Sequence, residues 1–322
     1  MSLEKSVVHS RHFQLERVAN GVYAAISTNG TGSLGNAGFV DLGDCTLVFD
    51  TMLTPAAASD LLKVAERITG KPVQYVVNSH HHGDHTFGNQ VFIGAQIIAT
   101  TKIRQQCIDR NTKMVEELRG SLSQLEETIR AFEAKIDDVT DERRKQQMRE
   151  EVACDRHLVA ALPTIEIVLP AITFDEKLTI HGSKRSVELL TFGGGHTPSD
   201  LIMLLPEEKI LFAGDLVQQQ THTMLKDGNP EEWVQILNKI EQLPIEKIVP
   251  GHGAVSTLLE LHEVREYITE LIALSEELAS AEASTEEIVK PPMPAKYQEW
   301  NFLDMYERNL DYLITRNNQK SK

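Results

Sequence analysis

Residues Asn78-Ser79-His80-His81-His82-Gly83-Asp84-His85 place four side chains able to ligate a metal within six positions. With alternate spacing the run reads H-x-H-x-D-H: His80, His82, Asp84 and His85. Imidazole nitrogen and carboxylate oxygen suit zinc, iron and manganese. The run follows Val73-Gln74-Tyr75-Val76-Val77, a β-branched and aromatic stretch that predicts a buried strand. A strand end on a rigid scaffold aims a loop's side chains at one point. The internal position, the interrupting Gly83 and Asp84, and the apolar stretch before them set the run apart from a purification tag, and a metal site is preferred to a surface metal scavenger.

Three later segments have the same form. Val187–Phe192 leads into Gly193-Gly194-Gly195-His196-Thr197-Pro198, Lys209–Ala213 into Gly214-Asp215, and Lys247–Pro250 into Gly251-His252-Gly253. Glycine beside each ionisable residue permits tight turns and close backbone approach. Singly, Asp215 reads as a turn cap and His252 as a loop residue; seven such residues in four strand-loop segments make that reading improbable for the set. His9, His12, His157, His181 and His262 have no such context and read as surface or packing residues. His222, close after Asp215, is kept as a minor site residue, and His81 is expected to point away from the ligands on either side of it.

This order of motifs resembles the metallo-β-lactamase-fold superfamily of metal-dependent hydrolases, from about Gly21 to about Gly253. The resemblance implies an α/β fold, an αββα sandwich of two mixed sheets flanked by helices. It also implies two divalent metal ions, zinc above all, with iron or manganese as alternatives. His80, His82 and His196 would bind the first, Asp84, His85 and His252 the second, and Asp215 would bridge them. The ligand set looks most like those of glyoxalase II and the acyl-homoserine lactonases. The implied reaction is attack of a metal-bridging hydroxide on an acyl carbonyl of an ester, thioester or lactone, with Asp84 also accepting or relaying a proton. Asp50 ends the strand Thr46–Phe49, where it reads equally as a turn carboxylate or as an acceptor that orients a ligating imidazole. Relatives often have Asp-Thr-Gly here; Met52 departs from that pattern.

Two other enzymes of the fold remain as alternatives: a mononuclear iron persulfide dioxygenase, and a phosphodiesterase or nuclease. A formal net charge of −15 opposes binding of nucleic acid, which requires cations to replace phosphate counterions. The three cysteines, Cys45, Cys107 and Cys154, are scattered without a C-x-x-C pair and read as buried thiols. No apolar run reaches the roughly 18 residues of a membrane span, and the polar start Met1–Lys5 carries no signal-peptide pattern, so a cytoplasmic location and a small-molecule substrate are expected.

The elements expected to position the site follow from pattern. Three short strands fill Gly21–Asp50, with turns at Asn29-Gly30 and Gly43-Asp44. Thr54 as N-cap, Pro55 at the first helical position and Gly70 as terminator bound a helix. Short strands are expected at Val91-Phe92 and Gln96–Ala99. Leu118, Leu122, Leu125, Ile129, Phe132 and Ile136 form a stripe at coiled-coil spacing, and a second helix starts at Thr140-Asp141-Glu142. This predicts a helical insertion over 101–162 in a single domain 1–322, serving as a cap, as a homodimer contact or simply as packing. Asp200–Leu205 and Lys209–Ala213 read as a hairpin, Asn229-Pro230 and Thr257 as helix starts, and 285–322 as a C-terminal helical extension whose Tyr297, Trp300, Phe302 and Tyr306 either line a pocket or pack.

Overall fold

The computed structural model describes residues 10–279 and 289–320. The polar start, His9 and parts of the C-terminal extension (285–288 and 321–322) lie outside the described residues. The chain divides into two compact units, one of residues 1–99, 104–173 and 181–186, the other of 100–103, 174–180 and 187–322.

The first unit is built on a seven-stranded sheet. Its strands are β1 (Phe13–Ala19), β2 (Val22–Ser27), β3 (Ala37–Asp41), β4 (Thr46–Phe49), β5 (Val73–Val77), β6 (Gln96–Thr100) and β7 (Ile172–Phe174), paired in chain order. β1 to β4 are antiparallel neighbours, whereas β4–β5 and β5–β6 are parallel, so the sheet is mixed. β4 is buried along its whole length and leads directly into Asp50. The helix α1 (Pro55–Thr69) begins as expected: Thr54 Oγ1 accepts from the Ala57 amide, Pro55 opens the first turn, and Gly70 closes the helix in the left-handed region. Its face of Ala57, Ala58, Leu61, Val64 and Ala65 is buried with Phe39, Val48 and Val76 of the sheet.

Two expectations for this unit are corrected, and one strand is added. β1 was not anticipated, because a register shift between Arg17 and Ala19 breaks its two-residue period. Val91-Phe92 is not a strand; residues Phe87–Val91 form a 3₁₀ turn closed by the Phe92 amide on the Asn89 carbonyl. Two adjacent apolar residues are too few for periodicity to separate strand from helix. The apolar stripe crosses a break rather than following one helix. After the one-turn α2 (Gly83–Thr86) come α3 (Thr101–Gln106), a π turn at Cys107–Asn111, α4 (Thr112–Gly120), α5 (Leu122–Glu133) and α6 (Glu142–Ala161). Ser121, at φ −120°, separates α4 from α5. The stripe packs within the unit: Ile129 and Ile136 meet Met148 and Val152 of α6, while Leu118, Leu122 and Leu125 border Leu53, Phe87, Leu162 and Ile165. Asp141, whose carboxylate accepts from the Arg144 amide at 2.6 Å, caps α6.

The second unit carries a five-stranded mixed sheet in the order β12-β11-β10-β9-β8, from β8 (Lys177–His181), β9 (Ser186–Leu190), β10 (Ile202–Leu205), β11 (Ile210–Gln218) and β12 (Lys247–His252). Its helices are α7 (Pro230–Ile240), α8 (Leu258–Ala279) and α9 (Asp304–Lys320). Asn229 caps α7, with Pro230 at the first position and Glu231 and Glu232 in the first turn. Trp233, Ile236, Leu237 and Ile240 join Tyr267, Ile268, Leu310 and Leu313 in one core. Two loops expected after strands are strand instead. β11 continues past Ala213 through Asp215, with a register irregularity at Gly214, and β12 runs on to His252. An irregularity of this kind keeps the ladder going while re-aiming a side chain. Among the described residues no helix is long and apolar enough to cross a membrane.

Thr54 also donates to the Gly32 carbonyl at 2.9 Å, so it ties the start of α1 to the preceding loop. Thr54→Ala is predicted to lower stability by about 1–2 kcal/mol, read as a lower urea midpoint with an unchanged m-value.

Candidate functional site

In the first unit, β5 ends at Val77 and the motif follows as a tight turn and the single helical turn α2, with His82 preceding the helix and Asp84 and His85 on it. The turn is clamped from below. Asn78 donates to the His85 carbonyl at 3.1 Å and exchanges amide bonds with Asn89, and Thr51 Oγ1 donates to the same His85 carbonyl at 3.1 Å. Asn111, 1% exposed, reaches in from the π turn and donates to the His81 carbonyl at 2.6 Å. The helical insertion therefore begins against the motif, a tie that the sequence pattern did not disclose.

Asp50 is the centre of this arrangement. It is 1% exposed and accepts from the Ser79 amide at 2.7 Å, from Ser79 Oγ at 2.7 Å and from His85 Nδ1 at 2.8 Å. Burial raises its pKa, and the bonds from His85 and Ser79 act in the opposite direction. The hydrogen bonds assign the imidazole tautomers. His85 carries its proton on Nδ1 and presents the Nε2 lone pair. The single Ser79 hydroxyl proton goes to Asp50, so His80 Nδ1, 2.9 Å from Ser79 Oγ, is the donor there, and His80 also presents Nε2. His80 Nε2 lies 3.1 Å from His82 Nδ1, and His85 Nε2 lies 3.3 Å from Asp84 Oδ2. Asp50 thus has the orienting role rather than that of a plain turn carboxylate. Asp50 and Met52 both stand at positive φ, +58° and +64°, so Met52 adopts the left-handed turn that glycine takes more readily.

In the second unit, His196 sits in the glycine-rich turn after β9. A buried carboxylate again holds the turn: Asp200 accepts from the Gly195 amide at 2.8 Å, from the Thr197 amide at 3.1 Å and from Thr197 Oγ1 at 2.8 Å. Burial raises the Asp200 pKa, while the charge of His196 and these donors oppose the rise. From sequence Asp200 reads only as a strand start; its spacing four residues after His196 is the signal that points to it. The His196 ring lies edge-on to Trp233, centroids 5.2 Å apart, and Trp233 donates through Nε1 to the Leu216 carbonyl at 3.1 Å. Asp215 Oδ2 lies 3.2 Å from His196 Nε2 and 3.4 Å from His252 Nε2. The close approach is possible because residue 251 is glycine; a Cβ there would lie 1.9 Å from Asp215 Oδ1.

The structure therefore brings His80, His82, Asp84 and His85 together in one unit and His196, Asp215 and His252 together in the other. Neighbouring donor atoms within each set are spaced 3.1–3.4 Å apart. Tetrahedral metal bonds of about 2.1 Å require an edge of about 3.4 Å. Donor chemistry and spacing both fit a divalent metal, and no thiolate belongs to either set; the three cysteines are buried and free.

His222 is corrected: it lies in a packed aromatic cluster. Its ring is 2% exposed, among Tyr267, Trp300 and Tyr306, with Nε2 donating to the Tyr297 carbonyl at 3.0 Å and Nδ1 accepting from the Tyr267 hydroxyl at 3.1 Å. Tyr297, Trp300 and Tyr306 are buried in this core and pack.

A model of the metallo-beta-lactamase superfamily matches residues 30–252, which span both ligand sets. The chain belongs to that superfamily. It is 25% identical over 239 residues to a linear primary-alkylsulfatase of Pseudomonas sp., a match covering 70% of this chain and 43% of the relative. Over 84 residues it is 37% identical to an atrochrysone carboxyl ACP thioesterase of Aspergillus fumigatus, covering 25% of this chain and 26% of that protein. The chain spans less than half the length of the curated relatives it matches. Among solved structures, a metallo-beta-lactamase from Pontibacter korlensis superposes with a TM-score of 0.59 at 16% identity, covering 80% of this chain and 99% of that one. The likeness is one of fold, and the α/β class of two mixed sheets flanked by helices is the one observed.

Burial pushes the His222 pKa down to about 4, with the bond to Tyr297 acting against the shift. The folded state keeps this ring neutral while the unfolded chain protonates it below about pH 6.5. Its contribution is thus intact above pH 6.5 and lost as the pH falls to about 4, by about 3 kcal/mol in all. His222→Gln is predicted to flatten that part of the pH–stability profile of metal-free protein; parallel urea-midpoint profiles would refute the assignment.

Proposed function

We propose that this superfamily member is a metal-dependent hydrolase in which the two ligand sets share a pair of divalent metal ions. His80, His82 and His196 hold one, Asp84, His85 and His252 the other, and Asp215 bridges both. The observation that carries the reading is the position of Asp215 Oδ2, within 3.4 Å of two imidazoles assigned to different metals. Zinc is the metal best suited to imidazole and carboxylate donors, with iron and manganese also compatible.

Bound metals supply a hydroxide at neutral pH and positive charge against a developing oxyanion. The chain's own residues supply orientation and proton handling. Asp50 fixes the tautomers of His85 and, through Ser79, of His80, so that their Nε2 lone pairs are available for coordination. Asp84, whose side chain keeps 14% exposure, would also accept or relay a proton. The substrate class is an acyl compound: an ester, thioester or lactone. The thioesterase match supports that class. The alkylsulfatase match, which extends over 70% of this chain, favours a second reading in which a sulfate ester is cleaved.

The test is turnover by metal-loaded protein on a panel of esters, thioesters, lactones, alkyl sulfates and phosphodiesters. Acyl hydrolysis is expected, and cleavage of alkyl sulfate alone would replace the acyl reading with the sulfatase one. Asp215→Ala is predicted to reduce bound metal from two ions to at most one and activity by more than about 100-fold. Asp50→Asn keeps the volume but withdraws the charged acceptor, and is predicted to weaken metal binding about 10–100-fold, measured by competition with a chelator. Unchanged metal content and turnover in Asp215→Ala would remove the bridging role.

A further inference from the structure

The turn Gln219–Leu225 follows β11, the strand that carries Asp215, and is bonded on two sides to residues distant in sequence. On one side is His252. Gln218 pairs with His252 in the sheet, and the Gln219 amide donates to the His252 carbonyl at 2.9 Å. Gln219 Oε1 accepts from the Ala254 amide at 2.8 Å. Gly253, at φ +90°, leaves no room between them; a Cβ there would lie 2.7 Å from both the Cβ and the carbonyl oxygen of Gln219.

On the other side is the C-terminal segment. The Asn301 amide donates to the Gln220 carbonyl at 2.9 Å, the His222 amide donates to the Asn301 carbonyl at 3.0 Å, and Thr221 and Asn301 form a β-bridge. Asn309 of α9, 1% exposed, accepts from the Leu225 amide at 3.0 Å and donates to the Thr223 carbonyl at 2.7 Å. Gln220 and Phe302, on either side of this bridge, both have left-handed backbones at φ +46° and +59°. Residues other than glycine keep such conformations only where their surroundings over-determine them. Residues 289–320, which supply these bonds, lie beyond the part of the chain that the superfamily model matches.

We propose that the C-terminal segment is a positioning element of the site: Asn309 and Asn301 hold the Gln219–Leu225 turn, and the turn holds His252. Asn309 is the critical residue, because its removal leaves a buried amide and a buried carbonyl of the turn without their side-chain partner. The turn then relaxes, and the His252 carbonyl loses the fixed position of its donor. The consequence for metal binding rests on the reading of His252 as a ligand; the mechanical coupling does not.

The experiment is hydrogen exchange by mass spectrometry on metal-free full-length protein, followed by cobalt titration. Asn309→Ala is expected to speed exchange at least about tenfold in both 219–225 and 252–254, and to weaken one of two bound cobalt ions about 10–100-fold while the other holds. Leu313→Ala, which deletes a fully buried side chain one turn further along α9, controls for general loosening and is expected to change neither stretch nor either ion. Faster exchange confined to 219–225, or equal effects of the two variants, would overturn the proposal. Exchange as expected in a protein that binds fewer than two cobalt ions would keep the positioning role and overturn the two-metal reading.

Discussion

A carboxylate shut away from water organises the first half of the site. Asp50 is surrounded by protein and would be costly to bury were its oxygens not occupied by donors. Three donors meet it, and all belong to the H-x-H-x-D-H segment or the residue before it: the Ser79 amide, the Ser79 hydroxyl and His85 Nδ1. Each donor has one productive orientation, so the carboxylate selects the path of the chain and the tautomers of two imidazoles together. The left-handed backbone at Asp50 and Met52 is a local strain that this arrangement sustains.

The second unit uses the same device with different residues. Asp200 accepts three hydrogen bonds from the turn that bears His196, and Trp233 closes one side of that imidazole. Asp215 reaches between two imidazoles because a strand irregularity at Gly214 turns it and because residue 251 has no side chain to block it. In both units the ionisable residues of the motifs are therefore held by buried polar groups that the motifs do not name. This separation explains why orientation is open to mutation without touching a ligand.

Much of this was legible in the sequence where a local signal and its structural consequence coincide. Thr54, Pro55 and Gly70 bound α1 because capping is a short-range matter, and β5 announces itself by β-branched residues ending at the motif. Asp50 was visible as a choice between two roles, and only its partners decide between them. The failures have physical causes. β1 carries a bulge that breaks the alternation. The insertion's apolar stripe keeps its spacing across the break at Ser121, where backbone geometry changes but hydrophobicity does not. Asp200 and Asn111 act through contacts with turns that periodicity does not address, and His222 follows Asp215 in sequence yet is claimed by an aromatic cluster built from α8 and the C-terminal segment.

The central claim is that the two ligand sets share one pair of metal ions. X-ray absorption at the metal edge of zinc-loaded protein tests it most directly. The account predicts two zinc ions per chain, each with nitrogen and oxygen ligands at about 2.0–2.2 Å, and a zinc–zinc scattering path at about 3.5–4 Å. One ion per chain, or two ions with sulfur ligands and no metal–metal path, would contradict it.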